Sequence, residues 1–240
     1  IVGVKKSSFW KCPQDNKIMR FKHILGHTSQ LKKLVVMTAN QMIPQAMLFY
    51  GVEGVGKRTI AQQFIQNLFC NLKPSPCLEC DSCKEIAANT HRDFIYLQPN
   101  EKGVIPLGDQ KKKEEGSIRW LIDKMSRTSY SGKYAVLIEG VEKLSIEAQN
   151  ALLKTIEEPQ KGTHIVLMSS NKTQILPTIL SRCTEIQFYP LTINEMKQIA
   201  SEKDINVHDS IAAIAGGSMS NILCLMDDDV RTNMFNICNE

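Results

Sequence analysis

Residues 51–59 read GVEGVGKRT, and the spacing Gly51…Gly56-Lys57 is that of a phosphate-binding loop, G-x-x-x-x-G-K. Gly51, Gly54 and Gly56 allow the backbone to turn its N–H groups toward a polyphosphate, while Lys57 reaches the outer phosphates. The pattern next calls for a Ser or Thr whose hydroxyl holds Mg²⁺. Arg58 stands there instead, and a guanidinium cannot ligate a cation. Thr59 lies one residue on, about 100° further round a helix, so its hydroxyl is expected to point elsewhere. The cradle for ATP or ADP survives; the metal ligand does not.

A second lesion belongs to the same reaction. After the apolar run at residues 134–138, an active P-loop ATPase places an aspartate for the Mg²⁺ shell and then a glutamate to activate water. Here the order is Glu139-Gly140-Val141-Glu142. Glu139 stands in for the aspartate, and Gly140 has no side chain with which to act as a base. Glu142, three residues on, reads as an ordinary exposed carboxylate.

Cys70, Cys77, Cys80 and Cys83 place four thiols within fourteen residues. Two-residue spacing lets neighbouring thiolates converge on one ion, and Zn²⁺ favours four sulfurs in a tetrahedron with no open position, which is a structural site. Free thiols or an Fe–S cluster are the alternatives. Cys12, Cys183, Cys224 and Cys238 have no comparable neighbours and are expected to be unliganded.

These residues need elements to hold them. Residues 20–45 read as a helical entry, with Leu25, Leu31, Leu34 and Val35 near helical spacing. Residues 46–50 (AMLFY) are a buried strand feeding the glycine loop, and residues 59–72 a helix with Ile60, Phe64, Ile65, Leu68 and Phe69 on one face. Residues 93–97, 134–138 and 164–168 are further strands, with helices at 118–125 and 147–157. Residues 101–116, containing KKKEE, read as a solvated charged loop. Strands alternating with helices predict an α/β fold, a parallel sheet covered on both faces. After Pro190-Leu191 the pattern becomes three short helices separated by turns at 204–206 and 216–217, a small helical domain.

Bulk properties narrow the class. The 240 residues are 42% hydrophobic and 22% charged, as in a globular chain, and fit one large domain plus a small one. A balance of 29 basic against 25 acidic residues, +4, permits nucleic-acid contact without arguing for it. No apolar run approaches the roughly 18 residues of a membrane span, and the start of the chain lacks the layout of a signal peptide. With cysteines at metal spacing, a reducing cytoplasm is the expected location. Met19 reads as a natural start and the residues before it as an extension.

The combination resembles bacterial clamp-loader AAA+ subunits of the DNA polymerase III holoenzyme, most closely their delta prime branch. The matching stretches are residues 21–26 (FKHILG), the glycine loop with its Lys-Arg pair, the four cysteines, residues 91–94 (HRDF), Ile118-Arg119, residues 150–159 (NALLKTIEEP), residues 176–179 (LPTI), Ser181-Arg182-Cys183, and Gly217-Ser218. Together they span roughly residues 20–225.

The resemblance implies an AAA+ P-loop domain over residues 20–190 with an inserted zinc module at 70–83. A helical lid follows at 191–240, residues 1–19 form an extension, and the family's C-terminal collar domain is absent. It makes the four cysteines zinc ligands and Arg182 an arginine finger reaching the γ-phosphate of ATP on a neighbouring subunit. Such a guanidinium meets developing negative charge with fixed donors. Ser169, Ser170 and Asn171 occupy the place of a polar γ-phosphate sensor. Ser220 stands where active members carry a second sensor arginine, a third loss. The adenine pocket is expected near Ile24-Leu25.

The implied function is a non-hydrolysing clamp-loader subunit of the replicative, DNA-directed DNA polymerase, a nucleotidyltransferase. Its partners would be the gamma/tau and delta subunits, the sliding clamp and primer-template DNA. The alternative is an ATP-hydrolysing gamma/tau-like motor subunit; a stand-alone P-loop kinase leaves Arg182 and the cysteines without a use.

Overall fold

A central parallel sheet carries the glycine loop at the end of one of its inner strands. The structure, a computed structural model, describes residues 19–109 and 114–226. After helix α1 (Thr28–Ala39), strand β1 (Ala46–Gly51) runs into the loop and helix α2 (Lys57–Phe69) leaves it. Helix α3 (Asp81–Ala87), strand β2 (Phe94–Leu97), helix α4 (Ile118–Met125), strand β3 (Tyr134–Glu139), helix α5 (Ile146–Glu157) and strand β4 (Thr163–Ser169) follow. Helix α6 (Pro177–Leu180) and strand β5 (Thr184–Phe188) complete the sheet.

The strand order is β2-β3-β4-β1-β5, all neighbours parallel. Strands buried on both faces should read as near-continuous apolar runs, and the inner strands do. Met47, Phe49, Leu137 and Val166 face the α2 side, packing with Ile60 and Phe64. Leu48, Val136, Ile138 and Leu167 face the opposite side against Leu121, Ala148 and Leu152. The expected α/β sheet is therefore present, with β1, β2, β3 and β4 where apolar runs predicted strands.

Several elements differ from the sequence expectation. The helical entry over 20–45 shortens to α1, because Gly26 and His27 take left-handed backbone conformations (φ 77° and 51°) that no α-helix accommodates. The segment before them runs alongside α2 instead, where Lys22 N–H donates to Gln63 Oε1 at 2.9 Å and Gln63 Nε2 donates to Lys22 O at 2.7 Å. Strand β5 was not anticipated; it is an edge strand in which buried Ile186 and Phe188 alternate with wetter residues. Part of the expected charged loop, residues 110–113, and the residues carrying Cys12 and Cys238 lie outside the described residues.

Three short helices follow the sheet, as expected: α7 (Ile193–Ser201), α8 (Asp209–Ile214) and α9 (Met219–Met226). A capping box between Thr192 and Glu195 starts α7. Met196, Ala200, Ala212, Ala215 and Ile222 join the same buried cluster as β1 and α2. No helix among the described residues is long and apolar enough to cross a membrane.

Candidate functional site

The glycine loop is shaped by backbone conformations that need glycine. Gly51 (φ 144°) lies so close to β5 that a Cβ would meet Phe188 O at 2.0 Å. Gly54 (φ 75°) is covered from the other side: a Cβ there would meet Ser218 Oγ at 2.3 Å and Ser220 at 2.6 Å. Met219 N–H donates to Gly54 O at 3.0 Å, so the start of α9 rests on the loop. On its third side His27 Nε2 bonds Val55 O at 2.8 Å.

Around the loop lies a cavity of about 740 Å³, within the range of small-molecule sites. Ile24 and Leu25 form part of its wall, together with Leu191, Met219 and Leu223 from the C-terminal helices. Ser220 lines it as well. Lys57 is buried at its floor, and Nζ donates to Gly51 O and Val52 O, both at 2.7 Å. Burial pushes the Lys57 ammonium below its ordinary range, against the opposing pull of Glu142, Glu53 and Glu139.

Arg58 leaves the first turn of α2 toward the ends of β2 and β3. Its guanidinium carbon sits 4.6 Å from the centre of the Tyr96 ring, and Nη1 is 3.9 Å from Glu139 Oε2. The Tyr96 hydroxyl donates to that same Glu139 oxygen. Burial, then the Glu139 carboxylate, push the Tyr96 phenol well above its ordinary range. Arg58, Tyr96 and Glu139 thus lie together on the side of the loop where a metal shell is expected, with Gln98 Oε1 a second acceptor 2.9 Å from the Tyr96 hydroxyl. Thr59 is exposed and belongs to the same cavity wall.

Gly140 has a left-handed backbone (φ 71°), and a Cβ would come within 3.1 Å of Pro99 Cγ and 3.2 Å of Lys143 Cδ. The missing base therefore comes with a main-chain shape that disfavours a side chain at this position. Glu142 corrects the sequence reading. It is not an ordinary exposed carboxylate: it lines the cavity, and Oε1 accepts from both the N–H (3.0 Å) and the hydroxyl of Ser170. Burial works to raise the Glu142 carboxyl, but the Ser170 donors, with its own backbone N–H and Ser169, together hold it below the ordinary range. Its Oε2 is buried with no hydrogen-bond partner among the described residues.

Of the three polar residues after β4, Ser169 and Ser170 line the cavity. Asn171 is used locally: Oδ1 accepts from Thr173 N–H at 3.1 Å and caps the turn that follows.

Arg182, after α6, does not line this cavity, and its side chain is 39% exposed. Nε donates to Glu157 Oε1 at 2.7 Å, and Nη1 donates to Thr178 O at 2.9 Å and Ser181 Oγ at 3.2 Å. Gln149, buried in α5, holds the segment leading to α6. Its Oε1 accepts from Leu176 N–H at 2.8 Å and its Nε2 donates to Gln174 O at 3.1 Å.

The four cysteines converge as their spacing predicts. Cys70, Cys77, Cys80 and Cys83 place their sulfurs within 4.8 Å of one another, with Cys77–Cys83 at 3.9 Å and Cys70–Cys80 at 4.0 Å. Zn–S bonds of about 2.3 Å in a tetrahedron require S···S edges near 3.8 Å, so the cluster could hold that ion with little adjustment. Glu79 and Cys80 N–H groups point at Cys77 Sγ (3.4 and 3.2 Å), and the module is tied down by Gln66 Nε2 to Cys83 O at 2.7 Å and Lys22 Nζ to Cys77 O at 2.8 Å. The bond to Cys83 O explains why Gln66 is buried on α2, as the pairing with Lys22 does for Gln63 and the bond from Ser75 Oγ to Asn67 Oδ1 does for Asn67. Cys183 and Cys224 stand apart from the cluster, as expected.

Sequence reasoning missed Tyr96, Glu157, Gln149 and the true placement of Glu142. Tyr96 had one available signal: it precedes the last residue of an apolar strand beside the strand bearing Glu139.

Comparison with known proteins agrees with this geometry. The family model described as DNA polymerase III, delta subunit, matches residues 26–192. The delta' subunit of Pseudomonas aeruginosa is 32% identical over 181 residues, covering 72% of this chain and 53% of that protein. The tau subunit of Bacillus subtilis is 30% identical over 222 residues, covering 88% of this chain and 38% of that protein. The chain thus spans about half, or less, of the length of these curated relatives. Among solved structures, Orc1 of Aeropyrum pernix, in complex with DNA, superposes with a TM-score of 0.59 at 15% identity, covering 89% of this chain and 61% of that one. The RuvB branch-migration motor of Thermotoga maritima gives 0.51 at 18% identity, covering 84% and 60%. At such identities the likeness speaks for the fold alone. With most of its length matched by one family model and by delta' and tau subunits, the chain belongs to the DNA polymerase III delta-subunit family of clamp-loader AAA+ proteins.

Proposed function

We propose that this chain is a non-hydrolysing clamp-loader subunit. It keeps a nucleotide-shaped domain (residues 20–190) and a helical lid (from 191), and lends Arg182 to an ATP site on its neighbour. The observation that carries the reading is the Arg58–Tyr96–Glu139 set. The residue that should ligate Mg²⁺ is a cation, and the carboxylate that should complete the metal shell faces it at 3.9 Å and accepts from Tyr96. Gly140 removes the base as well.

Arg182 supports the second half. It is exposed, held by Glu157 and Thr178, and not part of the lining of the chain's own cavity, which suits a group serving another subunit. The partners that fit are gamma/tau and delta subunits, with the sliding clamp and primer-template DNA reached through the assembly. Cys70, Cys77, Cys80 and Cys83 hold a structural Zn²⁺ in this reading, and a cytoplasmic location suits four reduced thiolates.

One observation favours a second reading. Glu142, with a buried unpaired oxygen in the cavity, is the carboxylate an ATP-hydrolysing gamma/tau-like subunit would use in place of Gly140. ATP turnover separates the two. The proposal expects none from the isolated chain, and a loss of about 10³-fold in turnover by the reconstituted complex when Arg182→Ala is introduced, the lower end of what an arginine finger contributes. Turnover by the isolated chain, abolished by both Lys57→Ala and Glu142→Gln, would establish the second reading instead.

A further inference from the structure

The residues around the glycine loop do not fit Mg²⁺, and their arrangement says what replaces it. A P-loop metal does two things for a nucleotide: it neutralises phosphate charge and bridges the phosphates to a hydroxyl and a carboxylate. At this site the hydroxyl position is Arg58, permanently cationic. The carboxylate, Glu139, is engaged by Arg58 at 3.9 Å and by the Tyr96 hydroxyl. The Arg58 guanidinium lies over the Tyr96 ring, its carbon 4.6 Å from the ring centre. Its side chain remains 45% exposed and lines the cavity together with Lys57. Charge and donors are therefore available to a phosphate in the cavity.

A carboxylate lines the same cavity. Glu142, whose charge acts on Lys57 more strongly than that of Glu53 or Glu139, is fixed by Ser170 and has a buried oxygen that no donor satisfies among the described residues. A third phosphate placed beside this carboxylate, with no metal to separate the two, would set like charges together in a partly dehydrated space. A second phosphate held by the loop N–H groups, Lys57 and Arg58 would not.

From this we infer that the cavity takes a nucleoside diphosphate without Mg²⁺, Arg58 acting as a resident cation in the metal's place and Glu142 discriminating against the triphosphate. The inference rests on the phosphate-cradle reading of residues 51–57, and not on the role of Arg182.

The test is equilibrium binding of ADP and ATP to the full chain by calorimetry, in excess EDTA and in millimolar MgCl₂. ADP is expected to bind in EDTA at least as tightly as in Mg²⁺, and ATP about tenfold more weakly than ADP in EDTA, a difference of ~1.4 kcal/mol. Glu142→Gln should narrow the ADP–ATP gap. Arg58→Thr, which restores the hydroxyl, should lose about tenfold in EDTA and recover when Mg²⁺ is added. Binding that appears only with Mg²⁺, ATP binding as tightly as ADP, or no binding of either nucleotide overturns the inference. The wild-type titrations decide this even should a variant fail to fold. Failure here leaves the Arg182 experiment untouched, since that readout reports ATP held by another subunit.

Discussion

Asp93→Ala removes the acceptor for two main-chain donors at once. Asp93 is 2% exposed, and its carboxylate takes Tyr130 N–H at 2.9 Å and Ser131 N–H at 2.7 Å. Its own carbonyl accepts from Ala135 N–H at 3.0 Å, at the start of β3. The side chain therefore latches the turn that delivers β3 into register with β2, the pairing that runs from Phe94↔Ala135 to Leu97↔Ile138 and brings Tyr96 near Glu139. A hydrogen bond to a charged group contributes about 1.5–3 kcal/mol. Tyr130 and Ser131 lie at the surface, so water recovers part of each lost bond, and the expected cost is about 2–4 kcal/mol. For a chain of this size that lowers Tm by about 5–12 °C.

The pH dependence gives a second arm to the same experiment. Burial alone would raise the Asp93 carboxyl, but the Ser131 and Tyr130 donors outweigh it and hold it below its usual value. A depressed folded-state value means that the unfolded chain binds the proton more readily, near pH 3.9. The latch is thus fully present above about pH 5 and is lost as pH falls through the folded-state value. Urea denaturation of wild type and Asp93→Ala from pH 8 down to 3.5 should show a constant gap that narrows at the acid end. A gap below about 1 kcal/mol at pH 7, or one that widens on acidification, refutes the latch.

Other consequences can be checked directly. Removing metal with a strong chelator should release one Zn²⁺ per chain, expose four reactive thiols and lower Tm by about 5–10 °C, as expected for loss of a ligand held well above its dissociation constant; Cys80→Ser should reproduce the loss. Gln149→Ala, which removes the partner of Leu176 N–H, Gln174 O and Leu144 O at a half-buried turn, should cost about 1–3 kcal/mol in equilibrium unfolding. Burial pushes the Cys183 thiol up to about 12, with the Glu185 carboxylate adding to the shift, so iodoacetamide at pH 8 should modify exposed Cys224 before Cys183, which reacts only on unfolding.

What the sequence made legible was whatever depends on spacing along the chain. The glycine loop, the four cysteines and the inner strands declare themselves because each is a local pattern imposed by backbone turns, ligand geometry or burial on two faces. Edge strand β5 was illegible because only one of its faces is buried, which leaves two apolar positions and little signal. Gln63, Gln66 and Asn67 carry no signal of burial in the sequence; their burial follows from a segment 41 residues before Gln63 and from the cysteine module, which supply their partners. The reading of Glu142 fails for the same reason: its partner, Ser170, comes from the turn after β4, 28 residues away. Long-range polar pairing has no periodicity, and so leaves no pattern to read.

The hydrogen bond from Met219 to Gly54 joins two parts of the chain that are 165 residues apart. Since Ser218 and Ser220 leave no room for even a methyl group at Gly54, the C-terminal helix and the loop beneath it fit like a lid and its seat. Tilting α9 necessarily pulls on the carbonyl that helps set the curve of the loop. The cavity therefore cannot open on that side and keep its floor unchanged: its width and the aim of its N–H groups are one degree of freedom.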